Sequence, residues 1–290
     1  MKFGIVGGGV VGRATARAFM EHAEIRVYDT VKEKGTHTLT EVLDCDMVFV
    51  CLPTPQKTNS LECDLTVSLE CDMTVSLECD LTAIHSFFQE VVQRDKCSSS
   101  FVLRSTVPIG TTRRLRQEYG LPNLIHSPEF LTARCSLTDA QIPARNIVGG
   151  KGIGEYQVSD ECTEKLTALY LQRFPGVPCL TMTSDESEAV KLMLNSFFGV
   201  KVAFFNEMYA LAKKFGLNWS VVMKGIMSDG RIAHSHTQVP GPDGKFGFGG
   251  ECLPKDIASL IHQFLMSGVS PMVCLAAHTR NRYEDRERTL

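Results

Sequence analysis

The residues best able to do chemistry lie together in FGFGGECLPKD, residues 246–256, where Cys252 follows a glycine run and shortly precedes Lys255 and Asp256. Glycine lets backbone approach a ligand closely because it has no side chain. Lys255 can favour a thiolate, and Asp256 can act as an acid, a base or an orienting group, so the stretch is a candidate for covalent chemistry. An isolated cysteine of this kind is more often a buried turn residue. The rest of the chain has to decide between the two.

A second constellation opens the sequence. In MKFGIVGGGVVGRATARAFMEHAEIRVYDT, an apolar run leads into Gly7-x-Gly9-x-x-Gly12, then a helical pattern opened by Val10 and Val11, then a second apolar run ending at Asp29. Strand, glycine turn, helix, strand and acid in that order form the dinucleotide fingerprint in its required context. Gly7 permits the turn, Gly9 admits the pyrophosphate to the backbone, and Gly12 lets the helix pack closely. Asp29 is placed to bond the adenosine ribose and to repel a 2′-phosphate, so the expected cofactor is NAD rather than NADP.

Further strands are predicted in DMVFVCLPTP, SFVLRSTVPIGT, NLIHSPEF and RNIVGG, each ending in turn-forming or polar residues. A doubly wound parallel sheet puts its ligand-facing loops at such ends, which nominates Thr54, Thr106 and Glu129. From Ser184 the pattern becomes one long helix, which Ser184 or Asp185 can cap and Gly216 ends after two lysines. About 30 residues make a helix ~45 Å long. It is too apolar to lie exposed, so the expectation is a helical domain floor and part of a subunit interface. Lys191 and Asn195 share one of its faces, and burying them requires partners. The expected fold class is therefore α/β, a Rossmann-type doubly wound parallel sheet over 1–183 followed by an all-helical domain over 184–290.

Bulk composition narrows the function. The 290 residues carry 30 basic against 33 acidic side chains and a formal charge of -3, which gives no sign of a nucleic-acid or membrane-surface protein. No segment is long and apolar enough to span a bilayer, and the start lacks a signal-peptide pattern, so the chain reads as cytoplasmic. Its eleven cysteines are odd in number and scattered, which fits reduced thiols. Residues 60–83 repeat one octet as SLECDLTV, SLECDMTV and SLECDLTA, read as a duplication in a surface loop that leads into a helix around 84–93. Cys63, Cys71 and Cys79 recur once per unit without the histidines or close pairs of a metal cluster, so no metal is expected.

Taken together, GIVGGGVVG, STVPIGT, SPEFL, KLMLN, Asn206-Glu207 and GFGGECLPKD resemble, in order and over nearly the whole chain, the UDP-glucose/GDP-mannose dehydrogenase family. The resemblance implies oxidation of the C6 alcohol of a sugar nucleotide to an acid, with two NAD molecules and an intermediate linked to Cys252. It assigns Lys191 and Asn195 as donors to the developing oxyanion, and Asp256 to water positioning or proton transfer. Glu129 becomes the general base for thioester hydrolysis, with Thr106 holding the water. Phe130, Leu131, Phe246, Gly249, Lys255 and Arg231 fall at substrate-contacting positions of a homodimeric enzyme. The sequence departs from the family at Ala133, where a second glutamate is common, and stops where a third domain usually follows. Two other readings stand beside this one. The first is a shortened relative that binds NAD without turnover, in a regulatory or assembly role. The second, a two-domain hydroxyacid dehydrogenase, leaves Cys252 without a task.

Overall fold

The computed structural model describes residues 1–57, 77–132, 134–151 and 160–287. Most of the octet repeat, with Cys63 and Cys71, and Ala133 lie outside the described residues. The elements run β1 (Lys2–Val6), α1 (Val10–Phe19), β2 (Glu24–Tyr28), α2 (Leu39–Leu43), β3 (Met47–Val50), α3 (Thr82–Gln93), β4 (Phe101–Leu103), α4 (Thr111–Tyr119), β5 (Leu124–His126), α5 (Ser136–Gln141) and β6 (Asn146–Gly150). They continue with α6 (Glu161–Arg173), β7 (Cys179–Thr183), α7 (Ser184–Lys214), α8 (Trp219–Met227), α9 (Leu253–Met266) and α10 (Met272–Arg280), then a π-helical turn, Asn281–Asp285. Contacts divide the chain into two compact units, one of residues 1–54 and 80–191 and the other of residues 55–79 and 192–290.

The first unit is built on a seven-stranded sheet in the order β2-β1-β3-β4-β5-β6-β7. Strands β1 to β5 run parallel, as predicted, and β6 and β7 are parallel to each other. The β5–β6 pair is antiparallel through His126 and Gly149, so the sheet is mostly rather than wholly parallel. Alternation along each strand sorts its side chains onto two faces. Val48, Val50, Phe101 and Leu103 join one core with Ile84, Phe87, Phe88 and Val91 of α3, which recur at helical spacing. Met47, Phe49 and Val102 join the other with Phe19 of α1 and Leu166 and Tyr170 of α6. Both faces are thus covered, which is why these strands read as continuous apolar runs. Each fully buried Phe or Leu contributes about 1.5–3 kcal/mol.

In the second unit Val202 and Ala203 of α7, Ile257, Ala258 and Ile261 of α9, and Ala277 of α10 form a separate core that also takes in Phe248. The long helix is present over Ser184–Lys214, and Gly216 ends it in the left-handed conformation at φ +65°. Its start differs from expectation, because Thr183 caps it rather than Ser184 or Asp185. The Thr183 hydroxyl accepts from the Glu186 N–H at 3.2 Å, and the Thr183 N–H donates to Glu186 Oε2 at 2.7 Å. This reciprocal box places Ser184 and Asp185 inside the first turn.

Candidate active site

The glycine turn after β1 meets the geometric demands of a dinucleotide. Gly7 is left-handed at φ +97°, and a Cβ there would run into the Cys51 carbonyl at the end of β3; one on Gly12 would collide with the Gly7 carbonyl. Gly9 has nothing within 4 Å of its Cβ position and caps α1 without a side-chain hydrogen bond to its first turn. An anion is favoured there by the orphan N–H groups and the helix dipole. Asp29 lies just beyond β2, its Oδ2 accepting from the Gly8 N–H at 2.7 Å and its Oδ1 from the Val31 N–H at 2.8 Å. A carboxylate has about four acceptor positions, so both bonds orient Asp29 and leave capacity for ribose hydroxyls. These residues fit NAD. Nearby, the Thr54 hydroxyl donates to the Thr106 carbonyl at 2.7 Å, tying the loops after β3 and β4 together.

Glu129 and Lys191 meet in this first unit. Lys191 Nζ donates to Glu129 Oε1 at 3.0 Å, and both side chains are nearly enclosed. Glu129 Oε2 accepts from the Leu131 N–H at 2.6 Å. A buried lysine on an apolar helix is paired here, as its burial requires. The Phe130 ring is held under two cations, with the Arg145 guanidinium 4.1 Å and Lys191 Nζ 5.4 Å from its centroid. Glu129, Phe130 and Leu131 line a cavity of about 240 Å³.

The start of α7 is fastened to the same region by groups that sequence reading missed. Glu188 is buried and accepts from the Gly110 and Thr112 N–H groups at 2.6 and 2.7 Å and from the Thr112 hydroxyl at 2.5 Å, so it caps α4 from another helix. Burial pushes its carboxyl up to about 7 against those three bonds. His126, fully buried, faces the Ser187 hydroxyl at 2.8 Å through Nδ1 and the Ser105 carbonyl at 3.4 Å through Nε2. The carbonyl fixes the proton on Nε2, leaving Nδ1 as acceptor, and burial holds the ring neutral with its pKa lowered to about 3. The acid-rich SDESE run could have signalled the cap, since Glu188 and Lys191 share a helical face.

In the second unit, Cys252 is exposed at the N-cap of α9, one turn ahead of Asp256. Asp256 is buried, and its carboxylate is gripped from both sides. Asn195 Nδ2 donates to Oδ2 at 2.6 Å, while Lys255 Nζ pairs with Oδ1. Arg231 is almost fully exposed and pairs with Asp229 at 2.5 Å. Phe246 stacks at a tilt on Tyr209, with centroids 5.8 Å apart. Gly249 packs against the Arg286 guanidinium, which would have to shift to admit a Cβ there. The glycine run before Cys252 is not the flexible segment its composition implies. The Gly247 N–H donates to Asn206 Oδ1 at 3.0 Å, Asn281 Oδ1 accepts from the Phe248 N–H, and Arg286 Nε donates to the Phe248 carbonyl. Asn281 and Arg286 gave no signal in the sequence, because their bonds to Phe248 join residues 33 and 38 positions apart and are set by the fold.

A Rossmann-type sheet with a dinucleotide turn, followed by a helical unit, defines a dinucleotide-binding architecture. Residues 20–172 match the NAD binding domain, and residues 185–283 the central domain, of the UDP-glucose/GDP-mannose dehydrogenase family. The chain belongs to this family, and its cofactor is NAD. It is 36% identical over 165 residues to UDP-glucose 6-dehydrogenase of Campylobacter jejuni, a match covering 56% of this chain and 39% of that protein. It is 26% identical to UDP-glucose 6-dehydrogenase of Streptococcus pneumoniae over 91% of this chain and 69% of that protein. In fold it is similar to a UDP-glucose dehydrogenase from Pyrobaculum islandicum, with TM-score 0.76 and 24% identity over 97% of this chain and 68% of that one. The chain thus spans between about two fifths and two thirds of the length of these relatives.

Proposed function

We propose that the chain oxidises a nucleotide sugar, with UDP-glucose as the first candidate, to the corresponding uronic acid in two steps through a covalent adduct on Cys252. The observation that carries this reading is the arrangement at the start of α9: an exposed thiol at a helix N-terminus, one turn from a buried Asp256 held by Asn195 and Lys255. A thiolate there faces the positive end of the helix dipole. NAD supplies the hydride acceptor for both oxidations.

The first oxidation turns the C6 alcohol into an aldehyde. Cys252 sulfur then adds to the aldehyde carbon and the carbonyl oxygen takes a proton, giving a thiohemiacetal that retains a C–H bond. The aldehyde's own C–H cannot leave as hydride without an acylium ion, whereas the tetrahedral thiohemiacetal carbon releases it as its oxygen re-forms a carbonyl, which is the reason for a sulfur nucleophile. Oxidation of the thiohemiacetal carbon leaves a thioester; water adds to it, the C–S bond breaks, and the acid departs with the thiol restored. Lys191 has three N–H donors and Asn195 two, and their carboxylate partners use one of each, so donors remain for a developing oxyanion. Glu129 is the base for the water, with Thr106 positioning it. Arg231, Phe246, Gly249, Phe130 and Leu131 serve substrate recognition, and the working form is a homodimer.

The test is NADH formation by the purified chain with NAD and a panel of UDP-, GDP- and TDP-sugars. Two NADH per sugar acid are expected. Cys252→Ser should bind NAD normally but lose sustained turnover, whereas Glu129→Gln should accumulate a covalent adduct visible by intact-protein mass spectrometry. Wild-type turnover in Cys252→Ser overturns the covalent route. NAD binding without NADH formation on any sugar favours the second reading, a non-catalytic relative in a regulatory or assembly role.

A further inference from the structure

We propose that Asn281 is a positioning residue for Cys252, acting through the backbone of Phe248; this rests on reading Cys252 as the nucleophile. Asn281 opens the π-helical turn after α10 and is buried. Its Oδ1 accepts from the Phe248 N–H at 2.7 Å and its Nδ2 donates to the Phe248 carbonyl at 3.0 Å. One side chain thereby satisfies both polar groups of a single residue, as a neighbouring strand would.

The surrounding geometry makes this grip specific. Gly247 is left-handed at φ +67°, and a Cβ there would strike Asn281 Oδ1, so the glycine is what allows the amide to come so close. The Phe248 ring is buried in the core of the second unit, which ties the same residue down on its apolar side. Arg286 adds a bond from Nε to the Phe248 carbonyl at 3.0 Å and spans to Asp243 at 2.8 Å. Beyond this anchor the chain passes Gly249 and Gly250, the latter at φ +76° with open space around it, and enters α9 at Cys252. Two glycines give no stiffness of their own. Stiffness comes instead from Arg286, which bonds the Phe248 carbonyl and lies against Gly249, so the short path from residue 248 to Cys252 is braced where it begins.

The test reads Cys252 without needing turnover. The full chain is treated with iodoacetamide at neutral pH, and labelling is followed peptide by peptide, with exposed Cys135 of the first unit as the internal reference. Asn281→Leu, which fills the same space without either bond, should slow alkylation of Cys252 relative to Cys135 by about fivefold, as the thiolate loses its seat at the helix start. Asn281→Asp keeps the acceptor for the Phe248 N–H while Arg286 still serves the carbonyl, and should restore the rate to within about twofold of wild type. If the Leu variant fails to fold, Asn281→Ser, too short to bridge both groups, decides: slowed labelling supports the proposal. A Cys252 rate unchanged or faster in a folded Leu or Ser variant overturns it, as does an Asp variant no better than Leu. Because no substrate is involved, slowed labelling beside a wild type that makes no NADH would sink the dehydrogenase reading and leave the positioning role standing.

Discussion

Two buried titratable side chains in the first unit, His126 and Glu188, pull the pH dependence of stability in opposite directions. The carboxyl of Glu188 rises from 4.5 to about 7 because burial disfavours its charge, so the folded state holds a proton that the unfolded state releases above pH 4.5. Its contribution is complete below pH 4.5 and is lost as pH climbs to 7. His126 falls from 6.5 to about 3, so its contribution is complete above pH 6.5 and is lost as pH drops toward 3. Between 4.5 and 6.5 the two slopes oppose. Wild-type stability should therefore vary little in that window, and Glu188→Gln should unmask the His126 slope, with stability rising by up to about 1.4 kcal/mol per pH unit. Urea unfolding of both proteins at several pH values checks this; a flat profile for Glu188→Gln would show that His126 is not held neutral by the fold. The sequence indicated that Lys191 and Asn195 needed partners, because charge and amide on an apolar helix cannot stay unpaired. It did not name Glu129 and Asp256 as those partners, since pairing across more than sixty residues is a property of topology.

Among the elements, strand and helix positions were readable where period and termini agree, as in β1, the glycine turn and α1. The elements that misled were those whose ends are decided by competition. Thr183, Ser184 and Asp185 can all cap a helix, and only the Glu186 carboxylate, reaching back to the Thr183 N–H, selects among them. The reversal of β6 against β5 left no trace in composition, because a buried strand carries the same residues in either direction. The glycine turn allows fold and ligand to be separated experimentally. Gly12→Ala would force α1 away from the Gly7 carbonyl and should cost about 1–3 kcal/mol of stability together with most NAD affinity. Gly9→Ala meets nothing in the protein and should leave the melting temperature within about 2 °C of wild type while weakening NAD at least ~tenfold where the pyrophosphate would approach. Calorimetric titration and thermal melts distinguish the two, and equal effects of both substitutions on stability would contradict this division of roles.

At the scale of the whole molecule, α7 carries a row of large apolar side chains that its own unit leaves uncovered. Met193, Phe197, Phe204 and Leu211 are each more than half exposed, at 53%, 58%, 54% and 51%. Spacings of four and seven residues keep them close to one helical face, and an apolar stripe of this kind marks a contact surface. A homodimer is the expected occupant, and light scattering should give about twice the 32.1 kDa chain mass. Replacing Phe197 and Phe204 by Glu should return a monomer with unchanged NAD binding; a wild type that is monomeric at working concentration would require another cover for the stripe. No helix among the described residues is long and apolar enough to cross a membrane.

The way α7 is fastened along the first unit also decides where its length can change. Ser184 accepts from Arg116 Nη2 at 3.0 Å, Ser187 meets His126, Glu188 caps α4, and Lys191 reaches Glu129, so four contacts occupy the first two turns. Each turn advances about 5.4 Å, and each residue rotates the helix by about 100°. A single residue inserted or deleted between Glu188 and Lys191 would swing the lysine off its carboxylate while the upstream bonds stayed in place, stranding a buried charge at a cost of about 3–5 kcal/mol. Substitutions in this stretch can be absorbed one side chain at a time, whereas a change of length puts every later residue of the helix out of phase.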